Sequence, residues 1–244
     1  MKRALIVLMV LMLGTGGLFA QEAGTFTLGT RLGFAFGFNN DADLMRMPYY
    51  MGLVNEEYLD LVPFDRSMRM NFTTSIFAAY TLIDNLSLQF EFNIMANQGF
   101  NGDISEDGFT LANLQLSYTS LDIPVLVRYS FLDGMLGILA GPHISIPLGR
   151  ALLWMESPLL PELGGLGIAA EIDNFATFGL TAGVVAGIPA GPGRFVGDLR
   201  FLFDFNSIGV NIPGFDDDGD ITTRTIDVMT RRALVFTLGY QLSF

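Results

Sequence analysis

The chain has 244 residues, half of them hydrophobic and only 16% charged, with 25 acidic against 13 basic residues and no cysteine. A net charge of −12 argues against nucleic-acid binding, which calls for a basic surface. Without cysteine there are no disulfides, no thiolate metal sites and no lipid-modified N-terminal cysteine.

Residues 1–20, MKRALIVLMVLMLGTGGLFA, read as a cleaved secretory signal peptide. Lys2 and Arg3 form its positive start, residues 4–13 its apolar core, and Ala20 precedes the expected cut. The alternative is a short uncleaved anchor. Removing the segment leaves 11 basic residues against 25 acidic ones. Beyond it no run of about 18 uncharged apolar residues occurs, so membrane-crossing helices are not expected. The hydrophobicity is instead spread in alternation. In hydrocarbon an alternating sheet satisfies its backbone only by closing into a barrel.

The first strand is TFTLGTRLGFAFGF, residues 25–38. Phe26, Leu28, Leu32, Phe34, Phe36 and Phe38 share one face; Thr27, Gly29, Arg31, Gly33, Ala35 and Gly37 share the other. Large apolar on one side and small or polar on the other is the pattern of a transmembrane barrel strand with its apolar face to lipid. The second strand, about 67–82, repeats it, with Arg69, Asn71, Thr73 and Ser75 inward. A tight turn at Ile83, Asp84 and Asn85 leads to the third, LSLQFEFNI from Leu86, where Glu91 fixes the phase. The fourth, about 111–131, reads with a change of phase. Leu114, Leu116 and Tyr118 face out at even positions, then Ile123, Val125, Val127, Tyr129 and Phe131 at odd ones. A β-bulge near 120–122, just before Pro124, accounts for this and keeps Asp122 and Arg128 inward.

After a turn at Leu132, Asp133 and Gly134 comes the fifth strand, 135–148, with His143 and Ser145 inward. The sixth spans 175–188 and ends at a Pro–Gly breaker. The seventh, FVGDLRFLFDF, turns Asp198, Arg200 and Asp204 inward. The eighth is RALVFTLGYQLSF, 232–244, apolar at every even position from Leu234 to Phe244. It is expected to close the barrel against the first strand.

The connections alternate. Those after strands two, four and six are a few residues long; the others, about 39–66, 97–110, 149–174 and 206–230, are long loops. That is the outer-membrane barrel pattern, short turns in the periplasm and long loops outside the cell. The expectation is a closed, all-β, eight-stranded antiparallel up-and-down barrel over residues 21–244. A soluble lipocalin-like barrel, with the apolar face inward, is the alternative fold.

At SLDIPVLVRYSF (120–131) and LGILAGPHISIPL (136–148) the chain resembles the bacterial outer-membrane β-barrel domain family, in the broad OmpX and opacity-protein group. Asp122-Ile123-Pro124, Arg128-Tyr129, Gly141-Pro142 and the terminal Phe244 carry the resemblance. It implies fold and location in the bacterial outer membrane, and no catalytic residue. Tyr240, Leu242 and Phe244 also resemble the terminal signal read by the outer-membrane assembly machinery.

The phase assignment sends Arg31, Arg69, Arg128 and Arg200 into the lumen with Glu91, Asp122, Asp198 and Asp204. Eight strands leave an interior that side chains just fill, so a plug of arginine–carboxylate pairs is expected; a narrow polar path or ligand cleft is the alternative. His143, the only histidine, is a member of this network or, with Ser145, the centre of a lipid-modifying enzyme. Asp216, Asp217, Asp218 and Asp220 form a solvated loop tip or a weak Ca²⁺ site. The greasy stretch 151–170, with Trp154, and Met45, Met47, Tyr49, Tyr50 and Met51 in the first loop either contact a partner or pack on themselves. The functional expectation is a surface protein, without cofactor and not an enzyme, set in outer-membrane lipid and meeting a surface or host partner through its loops. A narrow channel for small solutes or lipophilic molecules is the alternative.

Overall fold

Alternation this regular forces extended backbone, and the computed structural model of the chain is a sheet throughout. It describes residues 23–38, 64–106, 109–158, 164–215 and 221–244. The strands are β1 (Phe26–Gly37), β2 (Phe64–Ser67), β3 (Arg69–Ile83), β4 (Leu86–Glu106), β5 (Phe109–Phe131) and β6 (Leu136–Glu156). They continue as β7 (Leu166–Ile172), β8 (Thr177–Ala190), β9 (Gly193–Asp204), β10 (Ile208–Phe215), β11 (Ile221–Met229) and β12 (Arg232–Ser243). The signal segment and the first-loop cluster fall outside the described residues.

Eight of these strands close a ring. β1 pairs β3, then β4, β5, β6, β8, β9 and β12 follow, and β12 returns to β1, every pair antiparallel. The seam runs from Thr27 opposite Ser243 to Gly37 opposite Ala233. Phe26 and Phe244 extend it, each donating its N–H to the other's carbonyl at 3.1 and 2.8 Å. A ring without an edge leaves no unpaired backbone along its wall.

The wall has two chemistries. Leu32, Ile76, Phe92, Val127, Ile138, Val184, Phe201 and Leu238, one from each ring strand, are 46–59% exposed on the outside. The interior instead buries arginines, carboxylates, serines and threonines. This is the reverse of a lipocalin. Among the described residues, outward charges on the ring strands sit only at the long-loop end, at Asp103, Arg150, Glu156 and Arg232. From Arg232 to Leu242 the strand rises about 25 Å, taking ~3.3 Å per residue and a tilt of ~40°, the height of an outer-membrane apolar band. Tyr80, Tyr129 and Tyr240 lie toward the other end.

Two expectations are corrected here. Three of the long connections are largely strand. β4, β5 and β6 run on past the band; β2 pairs the upper part of β4, and β7 pairs the upper part of β6 above β8. β10 and β11 continue outward from β7. The result is a curved sheet, β2-β4-β5-β6-β7-β10-β11, standing on one side of the barrel.

The second correction is the phase of β5. Every even position from Leu114 to Ser130 is buried, so the strand does not slip. Leu114, Leu116 and Tyr118 face inward, in an apolar cluster with Phe100, Ile104, Leu153, Ile208 and Val210. The irregularities fall on the neighbours instead. β4 bulges between Met95 and Gln98, with Asn97 and Gly99 at positive φ, and the β5–β6 register shifts between Ser117 and Thr119. Gly99 has no substitute there: a Cβ would lie 1.9 Å from the Leu116 carbonyl oxygen.

Candidate functional site

Inward side chains from opposite walls meet across the lumen in two layers. In the lower layer, nearer the tight turns, Glu91 from β4 is the hub. It accepts from Arg31 Nη1 at 2.8 Å and from Arg200 Nη2 at 2.9 Å, and also from Arg200 Nη1, Gln89 and Asn93. Asp198 accepts from Arg200 Nη2 at 3.1 Å, while Arg31 Nε lies 3.0 Å away without pointing at it. The Arg31 guanidinium also stacks 3.8 Å from the centre of the Phe77 ring. Two positive and two negative charges balance this layer.

In the upper layer Arg231 donates to Asp122 at 2.7 Å, to Gln98 at 3.0 Å and to Asp204 at 3.2 Å. Asp122 also accepts from Ser120 at 2.7 Å and from Ser145 at 2.5 Å. His143 places Nε2 2.7 Å from Asp204 and Nδ1 3.0 Å from the Thr181 hydroxyl. A carboxylate can only accept, so Nε2–H donates to Asp204, and Arg231 Nη2 lies 3.2 Å from the same nitrogen. Thr177 donates to the second Asp204 oxygen at 2.7 Å. Ser145 thus bonds Asp122 rather than His143, and the Ser145–His143 arrangement that a hydrolase would use is not made.

All eight lumen charges named from the sequence lie inward and buried, but not all are ion-paired. Arg69 serves backbone instead: it donates to the carbonyls of Asn97 and Leu116, both at 2.9 Å, and to the Asn101 side chain at 2.9 Å. The β4 bulge turns out the acceptors it uses, which corrects the expectation of a carboxylate partner. Arg128 is 2% exposed, its Nε is unpartnered, and it forms no ion pair with a described carboxylate. Two inward arginines were missed. Arg231 lay one residue before the start assigned to the eighth strand, yet it shares the parity of the inward Ala233, Val235 and Thr237. Arg194 donates to the Asp133 and Gly134 carbonyls, both at 3.0 Å, clamping a turn in which Leu132, Asp133 and Gly134 all have positive φ.

Little space remains between the layers. A cavity of about 20 Å³ is lined by Arg31, Arg200, Asp122, His143 and Thr181, among others. That is room for about one water. The larger concavities, about 470 and 710 Å³, are grooves at the wall lined mainly by outward residues such as Leu28, Phe92, Phe195 and Leu238. Acyl chains fill such grooves in a bilayer.

Trp154 is 39% exposed on the outer face of the standing sheet, over Gly165 and Gly167 of the adjoining segment. Tyr240 donates to the Ala190 carbonyl at 2.8 Å and packs edge-on against Phe195; Leu242 pairs with Leu28, and Phe244 is largely exposed. Asp216, Asp217, Asp218 and Asp220 fall outside the described residues. Among the described residues no group of three or more His, Asp or Glu side chains could hold a metal ion.

No family model matches the chain, and no curated protein does. Among solved structures it is similar to the outer membrane protein OprG from Pseudomonas aeruginosa, at 12% identity and a TM-score of 0.49, over 92% of this chain and 99% of that one. It is also similar to Neisserial surface protein A, at 11% identity and a TM-score of 0.42, over 91% and 99%. A major outer membrane protein from Thermus thermophilus aligns at 15% identity and a TM-score of 0.42, over 88% and 99%. The assignment of the fold rests on the strand pairing itself.

Proposed function

We propose that the chain is an integral bacterial outer-membrane protein that acts by contact. Its barrel anchors the standing sheet and loops at the cell surface, where they meet a surface or host partner, and its lumen is plugged. Residues 1–20 direct export, and the terminal strand ending Tyr240, Leu242 and Phe244 is read by the assembly machinery. Among the described residues no helix is long and apolar enough to cross a membrane. An apolar exterior about 25 Å high supports that reading.

The observation that carries the plugged reading is the pair of charged layers with about 20 Å³ between them. A hydrated ion path needs a continuous column of water, and two sets of mutually paired charges interrupt it. The test is conductance of the purified protein in planar bilayers. The expected record has no stable openings, and Glu91→Ala, which removes the lower hub, brings openings or noise. Stable openings of the unmodified protein would overturn the plug in favour of a channel.

A further inference from the structure

We infer that the outer face of the standing sheet binds a neutral glycan of an outside partner, stacked on the indole of Trp154. The inference rests on the surface role proposed above and names the chemistry of the partner.

Trp154 forms a platform. Gly167 is its register partner on β7, and Gly165 lies just before that strand. A Cβ at Gly165 would fall 2.1 Å from Trp154 Cζ2, and one at Gly167 would fall 3.0 Å from Cε3. The indole therefore lies down along the adjoining backbone, and a side chain at either glycine would lift it. One side of the ring is covered, yet the residue stays 39% exposed. A pyranose ring carries weakly positive C–H groups on one side, which stack on the negative face of an aromatic ring.

The surroundings of the ring are polar. Strand pairing sets Gln115 beside Trp154, Asn113 beside Glu156 and Ser117 beside Leu152. Arg69 takes the Gln115 oxygen, at 2.7 and 3.0 Å, which leaves the amide N–H groups to donate. Amides, a hydroxyl and a carboxylate around one flat ring match the hydroxyls of a sugar, each a donor and an acceptor. A protein hot spot calls instead for a well-packed, desolvated pocket. In these three pairs Leu152 is the one large apolar side chain besides Trp154.

Charge selects the sugar. Asp103, the register partner of Asn113, and Glu156 are exposed on this face, while Arg150 is engaged by Glu171 at 3.1 Å. Sulfated or carboxylated glycans meet like charge here, and neutral ones do not. Height selects the source. From Arg150 at the rim to Trp154 the strand climbs about 10 Å, at ~3.3 Å per residue and a tilt of ~40°. A head-group layer is about 5–8 Å deep. The platform clears it and faces outward.

Trp154 is the only tryptophan, so fluorescence reports this site alone. The whole protein, in a detergent without sugar groups, is titrated with malto-, cello- and chitohexaose and, separately, with dextran sulfate. At least one of the three neutral glycans should shift the emission saturably, and dextran sulfate should not. Gly167→Leu keeps the fluorophore but lifts the ring, and should weaken the response at least tenfold. If that variant does not fold, Trp154→Ala should lose retention on a column of the same glycan, with its heat-modifiable band as the check on folding. No shift with any of the three, an equal response to dextran sulfate, or an unchanged response in Gly167→Leu overturns the inference and leaves the surface role standing. Quenching of Trp154 by lipids brominated on their acyl chains would place the platform in hydrocarbon. That would overturn the inference and also withdraw the base of the standing sheet from the surface role.

Discussion

Two guanidiniums and two side-chain amides converge on the Glu91 carboxylate, so its loss leaves Arg31 and Arg200 sharing Asp198 alone. Deleting one partner of a buried pair costs about 3–5 kcal/mol, because the surviving charge remains cut off from water. Glu91→Ala is expected to lower unfolding stability in lipid vesicles by roughly that much in a urea titration. Glu171→Ala breaks only the exposed Arg150–Glu171 pair and should cost about 0–1 kcal/mol. A loss at Glu91 as small as that at Glu171 would mean water reaches the lower layer. The sequence made the face of each lumen charge legible, since within the apolar band a charge on an alternating strand is tolerated only on the inner side. It did not make the partners legible. Arg69 is held by carbonyls that a bulge turns out, and Arg128 forms no ion pair with a described carboxylate. Both outcomes depend on which strands lie opposite, which parity does not encode.

At the scale of the element, β5 shows where a pattern misleads. Along its membrane-level part most inner residues are polar, Ser120, Asp122, Arg128 and Ser130, with Pro124 and Leu126 between them. Above it they are Leu114, Leu116 and Tyr118, because the interior changes from a charged lumen to the apolar core of the standing sheet. The strand keeps one phase while its surroundings invert, and in sequence that inversion looks the same as a one-residue slip. The same change hid the strands in the long connections. The two phases make opposite predictions. With Leu116 1% exposed and Ser117 half-buried on the other face, Leu116→Asp should abolish the heat-modifiable folded band on gels. Burying an unpaired carboxylate in that cluster costs several kcal/mol. Ser117→Asp should fold normally. The reverse result would restore the slipped phase.

For the whole molecule, the closed ring, the apolar exterior and the rim charges together specify a protein embedded to a fixed depth. Closure was legible in the sequence because the first and last strands carry the same alternation and the turn-bearing connections are short. The depth was not, since outward apolar residues continue beyond the rim: Leu152 and Trp154 follow Arg150 on the outer face of β6. If lipid ends at Arg150 and Arg232, those residues stand in water or headgroups and the standing sheet is free to meet a partner. The cost of an outward arginine measures this directly, being about 2–4 kcal/mol at mid-bilayer and about 0–1 kcal/mol near the interface. Leu238→Arg, between Arg232 and Leu242 in mid-band, is expected to show the higher cost in vesicle unfolding titrations. Leu152→Arg should show the lower. Equal, high costs at both sites would place the base of the standing sheet in hydrocarbon. The exposed Leu152 and Trp154 would then be lipid contacts, and the surface available to a partner would shrink to the loops above them.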